Sequence, residues 1–336
     1  MPLKKSKMTK SILITGGLGF IGSSLANEIL RKNLASKCIL LDNFGGHINP
    51  LKKNYQDFRQ LRLKDNKKII IERGGAENFS IVLKLIDKYK PEYIYHTAAL
   101  PLAKVDNLNA METSIGSIDA TRNIIDNLSY VISKNKDYKF KRFTYFSSSM
   151  VYGDFKKKQV TENEITRPKE IYGTMKLAGE IITEGLCNFY NIPFTIVRPS
   201  AVYGPTDMNQ RVSQIFIEKA INKEEIKING KDEKLDFTYI EDLVNGVILA
   251  STKEKGNGEI FNITCGKGRN LVDFVKCVQK EYKDLSFKFT KRDKFRPKRG
   301  TLSVDKAKKL LNFRPKFTLE KGVAKYLAYI KEINNK

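Results

Sequence analysis

The chain has 336 residues and a formal net charge of +24, from 61 Lys+Arg against 37 Asp+Glu. That length can bury a large core and split into two domains. Its four cysteines lack CxxC spacing and it holds only His47 and His96, which argues against a zinc site, a disulfide framework or a Ser-His-Asp triad. No run is long enough to span a bilayer, and no apolar signal core follows the basic start MPLKKSKMTK. The expectation is therefore no metal, no membrane and a reduced, cytoplasmic location. The lysines are dispersed along the chain and not gathered in one stripe with aromatics, so they read as solvated faces and no nucleic-acid partner is expected. Such a surface also attracts a small polyanionic substrate.

In chain order, a short apolar strand at Ile12–Ile14 runs into Gly16, Gly19 and Gly22 of TGGLGFIG, and an apolar helix begins at once. The first glycine permits the tight turn, the second lets a pyrophosphate approach, and the third packs helix against strand. The N–H groups and positive end of that helix then face the phosphates. About 20 residues on, a second strand from Cys38 to Leu41 ends in Asp42, where an acid is needed for a ribose 2′-hydroxyl. Asn43 and Phe44 follow with no Arg, which favours NAD over NADP.

A third strand is predicted at Lys67–Ile71, closed by Gly74 and Gly75, then a helix at Phe79–Tyr89 and a strand at Tyr93–His96. Asp106–Leu128 has the spacing of a long helix, Phe143–Phe146 is a strand with Ser147–Ser149 at its end, Tyr172–Tyr190 is a helix and Phe194–Val197 a strand. This alternation predicts an α/β fold, a Rossmann-type doubly wound parallel sheet, with ligands beyond the carboxyl ends of its strands. Beyond Arg198-Pro199 the alternation loosens: a helix at Gln210–Ile221 and a strand from Lys227 to Gly230 open a region of short, mixed elements. We expect an NAD-binding domain over 8–200, with some later segments returning to it, and a smaller mixed α/β C-terminal substrate domain over 201–330.

Tyr172 and Lys176 lie four apart in YGTMK, on one helix face. A fixed ammonium favours the phenolate, which then accepts a hydroxyl proton as hydride leaves. Ser148, at the preceding strand end, can hydrogen-bond the same oxygen.

Taken in order, TGGLGFIG, Asp42, HTAA, SSSMVYG, YGTMK and RPSAVYGP resemble the extended short-chain dehydrogenase/reductases, in their NAD-dependent nucleotide-sugar epimerase/dehydratase branch. The resemblance runs from Ile12 to about Leu319. It implies Tyr172 as catalytic base, Lys176 as the group that positions the nicotinamide ribose, and Ser148 as third member. It also implies a cofactor site of Gly16, Gly19, Phe20, Ile21, Gly22, Asp42, Asn43, Ala98 and Ala99 together with Tyr172 and Lys176. KLDFTYIED and FRPKRGTLSVDKAKKLL resemble its sugar-nucleotide segments, which implies Arg296 on a diphosphate, and the resemblance at SSSMVYG implies Ser149 against substrate.

Several positions depart from the family pattern. Leu235 stands at a usual Arg, so a diphosphate contact must come from Lys234 or Arg211; Lys298 and Arg299 replace a Gly-Asp; Ser117 replaces an Asn; and Gly75 stands where an Asp often contacts adenine. Met150 is the most informative. Dehydratases of the branch carry an Asp-Glu pair, and decarboxylases a Glu, just before the Val-Tyr-Gly, whereas Ser149-Met150 has neither carboxylate. The resemblance then implies an NAD-dependent nucleotide-diphosphate-sugar epimerase acting at C4 through a 4-keto intermediate, and a homodimer built on the helices around Asp106–Leu128 and Tyr172–Tyr190. The alternatives are a 4-dehydrogenase or ketoreductase of the same fold, and, from the charge, a non-catalytic RNA-binding member.

Overall fold

Seven short apolar runs pair side by side, all parallel, into one sheet in the computed structural model, which describes residues 11–45, 63, 66–99, 109–208 and 210–334. The strands are β1 (Ile12–Thr15), β2 (Cys38–Asp42), β3 (Ile69–Arg73), β4 (Tyr93–His96), β5 (Arg142–Phe146), β6 (Phe194–Arg198) and β7 (Glu259–Asn262). Their order is β7-β6-β5-β4-β1-β2-β3. The direction of winding reverses between β1 and β4, and a crevice opens there beyond the carboxyl ends.

Both faces of the sheet are covered, which is why its strands read as continuous apolar runs. Ile12 and Ile14 belong to one buried cluster and Leu13, between them, to another. Helices α1 (Phe20–Arg31) and α6 (Ile240–Thr252) pack against each other on the first face. On the second, α2 (Phe79–Tyr89) packs on α3 (Ala120–Lys134), and α3 on α4 (Ile171–Phe189). Asn78 caps α2 by accepting from the Ile81 N–H, and Lys90 closes it in the left-handed region.

Several boundaries differ from expectation, and the long helix runs on past Leu128 to Lys134. The third strand lies two residues later because Cys38 pairs with Ile69 and Asp42 with Arg73; at a sheet edge Glu72 and Arg73 are tolerated. The long helix is interrupted: a short helix Ala110–Ser114 enters a π-helical turn at Ile115–Asp119 before α3 begins. Its expected start at Asp106 lies outside the described residues. Helix α5 (Val212–Ile221) begins two residues after Gln210, with Arg211 at its N-cap.

The remaining short strands form two-stranded ribbons: 226–229 with 287–290, 234–236 with 268–270, 202–203 with 238–239, and 159–160 with 301–302. Val202, Lys227, Asn229 and Leu235 of these ribbons line the crevice together with residues of α5. β7 and α6 come from beyond residue 201 yet complete the sheet and its first face. Among the described residues no helix is long and apolar enough to cross a membrane, and no cluster of three His, Cys, Asp or Glu residues is arranged to hold a metal.

Candidate active site

The crevice is a cavity of about 700 Å³ that runs from the glycine turn to the short ribbons. At its first end the glycines are sterically required. A Cβ on Gly22 would stand 2.3 Å from the Gly16 carbonyl oxygen, and Gly16 has φ +65° with a Cβ position 2.8 Å from the Ala98 nitrogen. No side chain caps α1 at Gly19 and no acid occupies its first turn, so its N–H groups face the cavity without a competing carboxylate. Asp42 accepts from the Leu18 N–H at 2.9 Å and the Phe44 N–H at 2.9 Å. These bonds lock the carboxylate onto the glycine turn and leave lone pairs on a residue that lines the cavity. Phe20, Ile21, Asn43, Ala98 and Ala99 line the same end, with Gly74, Gly75, Ala76 and Glu77 beyond. These residues fit a dinucleotide: an anion-receptive helix start, close backbone approach and a fixed acid.

At the middle of the cavity the carboxyl end of β5 meets α4. Glu170 caps α4, accepting from the Tyr172 and Gly173 N–H groups at 2.9 and 2.7 Å. Tyr172 and Lys176 then project to one side, as i, i+4 spacing requires, and both line the cavity beside Ser148. The Lys176 Nζ donates to the Phe146 carbonyl at 2.8 Å and lies 5.9 Å from the Tyr172 ring centroid. Burial holds its ammonium down to about 7, against the opposing pull of Glu180. Burial likewise raises the Tyr172 phenol above its ordinary range, while Arg211 and the Ser148 hydroxyl work the other way. The expected phenolate therefore differs from what the apoprotein favours: desolvation outweighs the available positive charge.

The three serines at the end of β5 separate by partner. The Ser147 hydroxyl donates to Glu180 within the core. The Ser148 hydroxyl accepts the Met150 N–H at 3.2 Å and stands at the Tyr172 phenol, which it helps to ionise. Ser149 and Met150 are buried and also line the cavity, Met150 being 3 % exposed. His96 is neutral: burial and Lys176 push it down to about 3, and its two ring nitrogens meet Thr15 and Thr121 hydroxyls at 2.7 and 3.1 Å.

The far end takes residues from the later part of the chain. Arg211 and Arg296 line it as expected. Lys234 does not. On the strand Lys234–Asp236 alternate side chains face opposite ways, so Leu235 lines the wall while Lys234 is exposed outside the cavity. The structure thus brings together every residue expected in the site except Lys234. It adds Lys227 and Asn229, which alternate with buried Ile226 and Ile228 in IKIN, and Glu233 and Arg299. The IKIN alternation was readable in the sequence; the inward turn of Arg299 was not.

Three comparisons bear on this arrangement. The family model described as "NAD dependent epimerase/dehydratase family" matches residues 12–264. The uncharacterized UDP-glucose epimerase YtcB of Bacillus subtilis is 27 % identical over 96 % of this chain and 98 % of its own. A dTDP-D-glucose 4,6-dehydratase of Dictyostelium discoideum is 29 % identical over 77 % of this chain and 58 % of its own. Among solved structures, UDP-glucuronic acid 4-epimerase from Bacillus cereus, in complex with UDP-glucuronic acid and NAD, superposes with a TM-score of 0.86 at 26 % identity, covering 96 % of this chain and 99 % of that one.

Proposed function

Because the chain belongs to the NAD dependent epimerase/dehydratase family, we propose that it is an NAD-dependent epimerase of nucleotide-diphosphate sugars, acting at C4 of a UDP-linked hexose or hexuronate. The observation that carries this reading is the convergence of Ser148, Tyr172 and Lys176 on one cavity wall beside an apolar Met150. NAD, when bound, supplies the acceptor and donor of a hydride. Tyr172 takes the proton of the C4 hydroxyl and later returns it, and Ser148 donates to the same oxygen. Lys176, fixed by the Phe146 carbonyl, stands beside the phenol and positions the nicotinamide ribose. Gly16, Gly19, Gly22 and Asp42 hold the dinucleotide, and Ser149, Arg211 and Arg296 face the sugar nucleotide. With methionine at position 150, no carboxylate flanks Ser148 to assist elimination, which sets this chain apart from its dehydratase relatives.

Cations inside a cavity, and not only on the surface, favour a small anionic substrate over nucleic acid. Exposed Tyr130, Ile181 and Phe189 on α3 and α4 support a homodimer formed through these helices. Four free cysteines support a cytoplasmic location.

One-dimensional proton NMR of the purified protein with UDP-, GDP-, CDP- and dTDP-sugars tests the reading. A C4 epimer should accumulate with one nucleotide while bound NAD is unchanged over many turnovers, and Tyr172→Phe should abolish it. Net NADH or a released keto sugar would overturn the epimerase, and wild-type turnover by the Phe variant would overturn the choice of base.

A further inference from the structure

The far wall of the cavity carries more positive charge than its own acids neutralise. Arg292 donates to Glu233 at 2.5 Å and to the Arg296 carbonyl at 2.8 Å. Arg296 donates to Asp293 at 3.2 Å. Arg299 has neither a hydrogen bond nor an ion pair among the described residues, although its half-buried side chain lines the cavity. Burial, with Arg296 and Arg211 nearby, pushes its guanidinium down to about 10. Glu233 and Glu170 oppose that shift from a distance without pairing with it, and a cation kept from bulk water without a direct partner costs free energy that an incoming anion offsets.

The backbone fixes where this cation sits. The Lys298 N–H donates to Asp154 at 2.7 Å, and the Lys298 carbonyl accepts from the Phe155 N–H at 2.8 Å. Thr301 then pairs with Gln159 in a short parallel ribbon. Lys169 anchors Asp154 in turn at 2.8 Å. Arg299 is therefore stapled to the segment that leads into α4 and Tyr172. On the neighbouring strand Leu235 puts an apolar side chain, 8 % exposed, into the same wall.

We propose that Arg299 is a diphosphate-binding residue, partnering Arg296, and that it supplies from the 296–299 loop the charge that Leu235 does not supply from the strand. A diphosphate diester offers two negative charges and paired oxygens that a guanidinium fork matches. Arg211, whose field reaches the Tyr172 phenol, is then left on the sugar side.

The proposal rests on the reading of this cavity as a nucleotide-sugar site, so its test uses binding and not turnover. The full-length, NAD-loaded protein is titrated calorimetrically with UDP and with uridine at two salt concentrations. Arg299→Ala should weaken UDP by about tenfold or more, leave uridine within about twofold, and flatten the salt dependence of UDP binding. Leu235→Arg in the Arg299→Ala background should recover UDP affinity by moving the cation to the neighbouring strand. Unchanged NAD content shows that the variants fold. UDP binding within twofold of wild type in Arg299→Ala, or an equal loss for uridine, overturns the proposal. If the wild type binds UDP through Arg299 yet leaves every UDP-sugar unchanged, the epimerase reading fails and this one stands. If the wild type epimerises UDP-sugars and Arg299→Ala keeps its KM, the reverse holds. A wild type that binds no UDP overturns both.

Discussion

Replacing Glu180 by glutamine should destabilise the protein out of proportion to the loss of one charge. Glu180 is 2 % exposed and accepts from Arg198 Nε at 2.8 Å, Arg198 Nη2 at 2.6 Å and the Ser147 hydroxyl. Arg198 also donates to the Tyr152 hydroxyl at 2.9 Å and the Glu162 carbonyl at 3.2 Å, and the Tyr152 hydroxyl donates to Asn262 Oδ1 at 2.9 Å. Neutralising Glu180 leaves a guanidinium that is 3 % exposed without its counter-charge. Breaking one side of such a pair costs about 3–5 kcal/mol. At an unfolding entropy of about 2.1 cal/mol/K per residue, a chain of 336 residues loses roughly 4–7 °C of Tm for that cost. The assay is calorimetric melting of the wild type, Glu180→Gln, and the double variant Glu180→Leu with Arg198→Met. The double variant should melt closer to wild type than the single, because removing both charges removes the desolvation penalty too. Glu180 also opposes the burial that depresses Lys176. In the Gln variant Lys176 should therefore give up its proton at lower pH. A single-variant loss under about 1 kcal/mol, or a double variant that melts no higher than Glu180→Gln, would refute the reasoning.

Three further outcomes follow from the cofactor end. Gly22→Ala should abolish NAD retention, since a Cβ 2.3 Å from the Gly16 carbonyl meets backbone that cannot yield; stoichiometric nucleotide released on denaturing the purified variant would count against it. Asp42→Ala should lower the preference for NAD over NADP by about tenfold or more. It removes the acid that repels a 2′-phosphate, and Arg73 stands opposite position 42 in the sheet register; titration with both dinucleotides reads the ratio. In the cofactor-free protein Lys176 holds a pKa of about 7 against an ordinary 10.5. Between those values the unfolded chain binds a proton that the native one does not, so this residue makes stability rise with pH across that window. Lys176→Met should flatten the wild-type slope measured by urea unfolding between about pH 7 and 10, and an unchanged slope would place the titration elsewhere.

Six of the seven strands were legible because each is an apolar run bounded by a breaker, whereas Glu259–Asn262 lies in the stretch read as short mixed elements; the helix Phe79–Tyr89 was legible from its apolar spacing ahead of Pro91. The π-helical turn at Ile115–Asp119 leaves no mark on apolar spacing, since one extra residue in a turn rotates the face without changing composition. The core of the site was readable for a related reason. Strand ends in a parallel sheet gather on one rim, so motifs far apart in sequence were bound to meet. Pairings set by register or burial were not readable. Arg73 stands opposite Asp42 through the β2–β3 register, and Glu180 finds Arg198 across the core 18 residues away. The choice of Lys234 failed on strand alternation: once buried Leu235 faced the cavity, its neighbour had to face solvent.

These contacts divide the cavity into two kinds of wall. Ser148, Tyr172 and Lys176 are held by β5 and α4, where the Phe146 carbonyl, the Glu170 cap and the Glu180–Arg198 pair fix their positions. Arg296 and Arg299 lie on a loop whose supports are a backbone ribbon and ion pairs that are half exposed. Chemistry therefore depends on rigid elements that tolerate little displacement, and substrate charge is met by a segment that can change sequence without disturbing them. The resemblance read from the sequence is likewise whole around Tyr172 and departs at positions 235, 298 and 299, on the charge-bearing wall. The division also predicts the kinetic signature of each wall. Substitutions at 148, 172 and 176 should fall on kcat, and those at 296 and 299 on KM.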